Sequence, residues 1–265
     1  MALLKKHEVI QSEVSGQRYK VTGQLGSGGF GEAYRAQRLD EMDRDDGAES
    51  CLKITTNARS WHGEAFFADL LRDDSHAVQM FDAFPILHGS GRAARIRFCI
   101  EMELVAGGTV EDGCYGGILG WPEKRVQRQI RLLLGPLATL HRLGTSHRDI
   151  TPRNVFMGER NVLKLGDFGI AKPGLKKSGV YADAWAPDFT PPYLGTWWSP
   201  ADDIYQVGLL ALTLLKGELM TNATKKPDVN PLARKGGPLR DAIKKAISVK
   251  SQRFANASEM MRALR

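Results

Sequence analysis

Three residues at fixed intervals constrain this chain more than any other feature: Asp149, then Asn154 five residues on, then Asp167 eighteen residues after the first. The first two lie in Ser146-His147-Arg148-Asp149-Ile150-Thr151-Pro152-Arg153-Asn154, and the third in Leu165-Gly166-Asp167-Phe168-Gly169. An acid that accepts a hydroxyl proton, an amide oxygen and a second acid are the groups wanted where Mg-ATP is handled. Here those groups are Asp149, Asn154 and Asp167. Asp-Phe-Gly or His-Arg-Asp alone is a short word that chance supplies; the joint spacing is far more specific.

Upstream, residues 18–25 alternate polar and apolar side chains as a strand does, and run into Gly26-Ser27-Gly28-Gly29-Phe30-Gly31. Such a glycine-rich hairpin lets backbone N–H groups approach phosphate oxygens, with Phe30 at the tip to cover them from water. The same Gly-x-Gly-x-x-Gly pattern marks dinucleotide-binding turns, but there a helix follows. Residues 32–37 read as a second strand instead, and no P-loop Gly-Lys-Ser/Thr occurs. Residues 39–49 carry six acids and one Arg, and Asp46-Gly47 predicts a turn in an exposed hairpin loop. In the next strand, residues 50–54, Lys53 stands among apolar neighbours and needs a charge partner. Glu64 is the candidate, near the start of a helix predicted over residues 59–72 with apolar spacing at Phe66, Leu70 and Leu71. Residues 77–84 and 94–102 read as two further strands. The expected result is a small sheet lobe of five strands and one helix over residues 1–103.

A change of period follows. The apolar strand end at Met102-Glu103-Leu104-Val105 passes into Gly107-Gly108, which reads as a hinge over residues 104–108. From Trp121 to His141 the pattern is helical, with Val126, Ile130, Leu133, Leu134, Leu137 and Leu140 forming a core stripe. Gly135-Pro136 inside it is expected to bend the helix or break it in two, because proline removes a backbone donor and crowds the preceding turn. Asp203-Ile204-Tyr205-Gln206-Val207-Gly208 reads as the start of a buried central helix.

Composition bounds the class: 42% apolar and 25% charged residues over 265 positions are ordinary for a globular protein. No run approaches the roughly 18 apolar residues of a membrane span, and the first residues are too poor in apolar side chains for a signal peptide. A cytoplasmic location without membrane contact is expected. Cys51, Cys99 and Cys114, set among expected strand and loop residues, suggest neither a disulfide framework nor a zinc site. The formal charge of +7 lies in the tail: residues 221–265 hold eleven Lys and Arg against three acids, a local net of +8. That region reads as a solvated helical face or as a docking surface for an acidic partner; nucleic acid is not expected as a partner.

Taken together, these motifs make residues 18–264 resemble a eukaryotic-type protein kinase domain. The resemblance implies an α+β, two-lobed fold, an antiparallel sheet lobe followed by a larger helical lobe over residues 109–265. It implies ATP as cofactor with Mg²⁺ or Mn²⁺ held by Asn154 and Asp167, and protein substrates bearing Ser or Thr whose hydroxyl proton Asp149 takes. By its terms Gly26, Ser27, Gly28, Gly29, Phe30 and Gly31 cover the phosphates, and Lys53, paired with Glu64, holds the α- and β-phosphates. Ala33 lies over the adenine, Met102 is the gatekeeper, and the Glu103 carbonyl and Val105 amide bind the adenine edge. The activation segment runs from Asp167 to a stop at Ala186-Pro187-Asp188 rather than Ser199-Pro200-Ala201, with Asp188 paired to Arg253. Arg148 pairs with a phosphate on Ser178, Tyr181 or Thr190, or else satisfies local carbonyls. The family's closing motif at Arg253 makes a minimal stand-alone domain. Thr151 stands where Ser/Thr kinases carry a lysine, which with the short activation segment leaves open a small-molecule phosphotransferase; a non-catalytic scaffold, the alternative from a different class, predicts loss of Lys53, Asp149 or Asp167, and all three are present.

Overall fold

The period-two alternation of the first hundred residues folds as one antiparallel sheet. Its strands are β1 (Val9–Gln11), β2 (Arg18–Gly28), β3 (Gly31–Leu39), β4 (Asp45–Thr55), β5 (Met80–His88) and β6 (Arg95–Glu103), in the order β1-β2-β3-β4-β6-β5. The computed structural model describes residues 2–29, 31–89, 94–173, 186–192, 197–224 and 236–265. Six strands stand where five are expected, because β1 is three residues long and shows no period; it pairs Val9 with Lys20. The strands expected at 77–84 and 94–102 lie later, the first by several residues, since Val78 and Gln79 precede the ladder. Tyr19, Val21, Tyr34, Ala36, Leu52, Ile54, Phe84 and Cys99 fill the core. One acid is buried with them: Glu101 accepts from the Tyr19 hydroxyl at 2.6 Å and from Ser50 Oγ at 2.7 Å. Burial first, and Glu101 second, push the Tyr19 hydroxyl well above its ordinary pKa. The β3–β4 turn closes at Asp40–Arg44 with Asp43 left-handed (φ 62°), not at Asp46-Gly47, which lies within β4.

Helix α1 (Ala58–Leu70) starts at an Asn57 cap whose side chain accepts from the Ser60 amide. Its buried face is Glu64, Phe67 and Ala68, continued by Leu71, while Phe66 and Leu70 are 62% and 38% exposed. The apolar spacing expected at Phe66 and Leu70 therefore picks the wrong face. An acid, Glu64, takes a place on the buried side that hydrophobic counting assigns to an apolar residue.

The chain divides into two compact units, Met1–Asp73 with Val78–Leu104, and Asp74–Ala77 with Val105–Arg265. The second is mainly helical: α2 (Val110–Tyr115), α3 (Glu123–Arg142), α4 (Pro200–Lys216), α5 (Pro238–Ala246) and α6 (Ala257–Ala263). Between α3 and α4 lie short strands β7 (Thr145–Ser146), β8 (Val155–Met157), β9 (Leu163–Leu165) and β10 (Lys172–Pro173), paired β8 with β9 and β10 with β7. All six apolar stripe residues of α3 are buried, each worth about 1.5–3 kcal/mol. The helix runs unbroken through a buried Pro136, so the break does not occur. Helix α4 is buried from Asp202 through Leu214, opens on a Ser199 capping box and stops at left-handed Gly217. Cys114 sits on α2 rather than in a loop, and all three cysteines are free. Among the described residues no helix is long and apolar enough to cross a membrane.

Arg253 does not meet Asp188. Its Nη1 lies 3.0 Å from Asp202 Oδ1, both side chains 1% exposed, and Lys250 Nζ reaches Asp202 Oδ2 at 2.5 Å. Asp188 is exposed. The acid expected to hold Arg253 is thus replaced by the one at the first turn of α4, where the Ser199 amide and hydroxyl also donate to it at 2.8 Å. Removing one member of a buried pair strands the other charge, so Asp202→Ala should lower the unfolding free energy by about 3–5 kcal/mol. Asp188→Ala should stay within about 0.5 kcal/mol of wild type, as surface changes do. Urea unfolding of the two variants measures the difference.

Candidate active site

In the first unit, the glycine stretch joins β2 to β3, with Gly28 opposite Gly31, Ser27 opposite Glu32 and Gly26 opposite Ala33. Gly31 has φ +133°, and a Cβ there would fall 2.3 Å from the Ile54 carbonyl oxygen, so no other residue fits. Gly26, Gly28 and Gly29 are exposed, and a Cβ added at any of them would meet nothing within 4 Å. Phe30 lies outside the described residues. Ala33 is also paired to Lys53 on β4. Lys53 Nζ lies 2.6 Å from Glu64 Oε1, with side chains 12% and 5% exposed, so the strand lysine and the helix acid are brought together. Met102 sits opposite Cys51, and Glu103, the last residue of β6, opposite Ser50.

The longer stretch of the second unit starts at Val105, whose carbonyl accepts from the Gly108 amide. Its stretch from Ser146 to Asn154 is held by one carboxylate. Asp203, fully buried in the first turn of α4, accepts from the His147 amide at 2.7 Å, the Arg148 amide at 2.9 Å and Trp198 Nε1 at 2.6 Å, with His141 Nε2 at 2.9 Å. Burial raises its pKa, but the His141 hydrogen bond, the charges of His141 and His147 and the Arg148 amide outweigh this and hold it below the usual carboxylate range. Gln206, one turn on, accepts from the Ile150 amide at 2.9 Å and donates to the Arg148 carbonyl at 3.3 Å. The backbone on both sides of Asp149 is thereby pinned to one rigid helix.

His147 then joins the two loops. Burial lowers its pKa, opposed by Asp203 and Asp167, which favours the neutral ring. Its Nε2 is 3.2 Å from the Gly166 carbonyl and must carry the hydrogen, which leaves Nδ1 to accept from the Asp149 amide at 3.4 Å. Phe168, 3% exposed, packs edge-on against the same ring at 5.2 Å. Asn154 Nδ2 donates to Asp149 Oδ2 at 2.7 Å and to its carbonyl at 3.0 Å, and the Gly166 amide donates to the Asn154 carbonyl. Asp167 is left-handed (φ 57°), with Oδ1 accepting from the Gly169 amide at 3.2 Å. Asp149, Asn154 and Asp167 are therefore gathered by one hydrogen-bonded frame. Asn154 turns its amide nitrogen to Asp149, so its Oδ1 is the end left for a cation. That oxygen and the Asp167 carboxylate are hard donors suited to Mg²⁺, which keeps most of its waters. Among the described residues no group of three or more His, Cys, Asp or Glu forms an all-protein cage.

Arg148 is 6% exposed and left-handed (φ 75°), and its Nε and Nη1 have no hydrogen-bond partner among the described residues. Burial lowers its pKa, with Asp203 opposing. Thr151 is 3% exposed within the turn, so its side chain offers nothing to solvent. Ser178 and Tyr181 lie outside the described residues; the Thr190 hydroxyl donates to the Ala186 carbonyl at 3.0 Å. Sequence reading missed Asp203, His147 and Gln206 as parts of the site. The signal was the doubled acid Asp202-Asp203 opening an otherwise apolar helix, since buried charge requires partners.

Asp203 gives the unit a pH dependence. Its folded pKa lies below the unfolded value of about 3.9, so its ionised form contributes stability that is complete above that pH and is lost as pH falls through the folded value. The urea midpoint should drop between about pH 5 and pH 3, and drop less steeply in Asp203→Asn, whose midpoint at pH 7 should already be lower.

Comparison with known proteins agrees with this geometry. A family model described as "Protein kinase domain" matches residues 19–264. "Serine/threonine-protein kinase PknL" of Mycobacterium tuberculosis is 29% identical over 220 residues, covering 78% of this chain and 51% of the relative. "Cyclin-dependent kinase F-1" of Oryza sativa subsp. japonica is 30% identical over 164 residues (62% and 32%). "MAP kinase kinase kinase win1" of Schizosaccharomyces pombe is 30% identical over 157 residues (58% and 10%). The chain thus spans about half the length of its mycobacterial relative and less of the others. With the match covering nearly all of its length, the chain belongs to the protein kinase domain family.

Proposed function

We propose that this chain transfers the γ-phosphoryl group of Mg-ATP to Ser or Thr hydroxyls of proteins. The observation that carries the reading is the frame that gathers Asp149, Asn154 and Asp167 around His147 and Asp203. In it, Asn154 and Asp167 would hold the cation, which when bound neutralises polyphosphate charge. Asp149, steadied by the Asn154 amide, orients the acceptor hydroxyl and takes its proton. Within the first unit, the exposed glycine stretch and Lys53, paired with Glu64, would meet the phosphates. Alignment contributes more than base catalysis: about 7–11 kcal/mol against a rate gain of about 10²–10⁴-fold. The names of the relatives and the family model support a protein acceptor over a small molecule, and the retention of Lys53, Asp149 and Asp167 argues against a scaffold.

Adenine recognition at Ala33, Met102, Glu103 and Val105 belongs to the same proposal. So does pairing of the Arg148 guanidinium with a phosphate on the activation segment. The three free cysteines support a reduced, cytoplasmic setting. An acidic partner for the tail has less to bind than its charge suggests, because Arg240, Lys250 and Arg253 are already paired with Glu123 and Asp202.

With a generic Ser/Thr protein acceptor, Asp149→Ala should lower turnover by about 10²–10⁴-fold, and Asp167→Ala by at least as much. Chelation should abolish transfer and added Mg²⁺ or Mn²⁺ restore it. Folded variants at either position that keep wild-type turnover would contradict the assignment.

A further inference from the structure

With Arg253 committed to Asp202, the end of the activation segment needs another fastener, and one residue touches it three ways. Asn222, beyond the end of α4, donates from its backbone amide to the Asp188 carbonyl at 2.8 Å. Its Nδ2 donates to the Pro187 carbonyl at 3.0 Å and to the Thr190 carbonyl at 2.5 Å. Its Oδ1 accepts from the Tyr205 hydroxyl. That pattern fixes which end is nitrogen, because a flipped amide would set its oxygen against two carbonyls. Tyr205 is fully buried on α4, two residues after Asp203, and packs with Phe189 and Leu209. The opposite end of the segment is stitched by β10 to β7, Lys172 to Ser146 and Pro173 to Thr145, directly before the catalytic stretch.

We propose that Asn222 is a positioning residue that fixes the far end of the activation segment on α4 and so sets the affinity for the protein acceptor. The inference rests on the protein-kinase reading for its catalytic consequence. Tyr205 orients the side-chain amide, and Asn222 as a whole holds the backbone carbonyls of residues 187, 188 and 190, so the segment that follows Asp167 is fastened at both ends. Asp188, the acid expected to anchor this segment, contributes its carbonyl and leaves its carboxylate exposed.

Asn222→Asp tests this, since it keeps the volume and the acceptor for Tyr205 but removes both side-chain donors. Hydrogen exchange by mass spectrometry should rise about tenfold in peptides covering residues 186–192 and stay unchanged in α4. The KM for a protein acceptor such as myelin basic protein should rise about five- to tenfold, with the KM for ATP and basal ATP hydrolysis within about twofold of wild type. Tyr205→Phe, which removes the orienting hydroxyl alone, should move both readouts the same way by a smaller factor, and serves if Asn222→Asp does not fold. Wild-type exchange at 186–192 in the folded variant overturns the inference, as does an equal rise in KM for ATP and protein. The exchange measurement needs no activity, so a wild-type protein inert toward every acceptor would sink the kinase reading while leaving the fastening itself separately judged.

Discussion

A single buried carboxylate, Asp203, carries the organisation of the second unit. Left without donors, a buried acid costs several kcal/mol; here two backbone amides, an indole and an imidazole surround it. Two of those donors are the amides of His147 and Arg148, so the stabilisation of the acid and the shape of the catalytic turn are one fact. His147 extends the frame to Gly166 and, through Phe168, packs the start of the second loop against the first. The left-handed backbone at Arg148 and Asp167 is the strain that this frame holds in place.

Much of this was legible in the chain. Alternation marks most of the sheet, and the α3 stripe identifies the large apolar residues on which that helix packs. The Lys53–Glu64 contact follows from a lysine with apolar neighbours needing a charge. What sequence reading lost were positions where polar contacts override hydrophobic pattern. The buried face of α1 turns on Glu64 and leaves Phe66 exposed, and β1 is too short to have a period. Asp202, next to an acid of quite different role, took the arginine expected for Asp188, because a partner within reach of the first turn of α4 can be fully buried and a loop acid is not. The turn at Asp40–Arg44 formed without glycine, as an Asp side chain accepts from its own downstream amides.

On the proposed reading, the acceptor is where the chain departs from its family. Thr151 is buried where a lysine is usual, and the activation segment is secured through an amide and a tyrosine hydroxyl in place of an ion pair. On the proposed reading both changes leave Asp149, Asn154 and Asp167 in place, so they bear on what is phosphorylated, not on whether transfer occurs.

Incubation of the wild-type chain with Mg²⁺ and γ-labelled ATP, offered its own hydroxyls, a generic protein and a panel of small alcohols together, tests the central claim most directly. Label recovered as phosphoserine or phosphothreonine in protein is the predicted result; label found only on small alcohols, or on nothing at all, would contradict it.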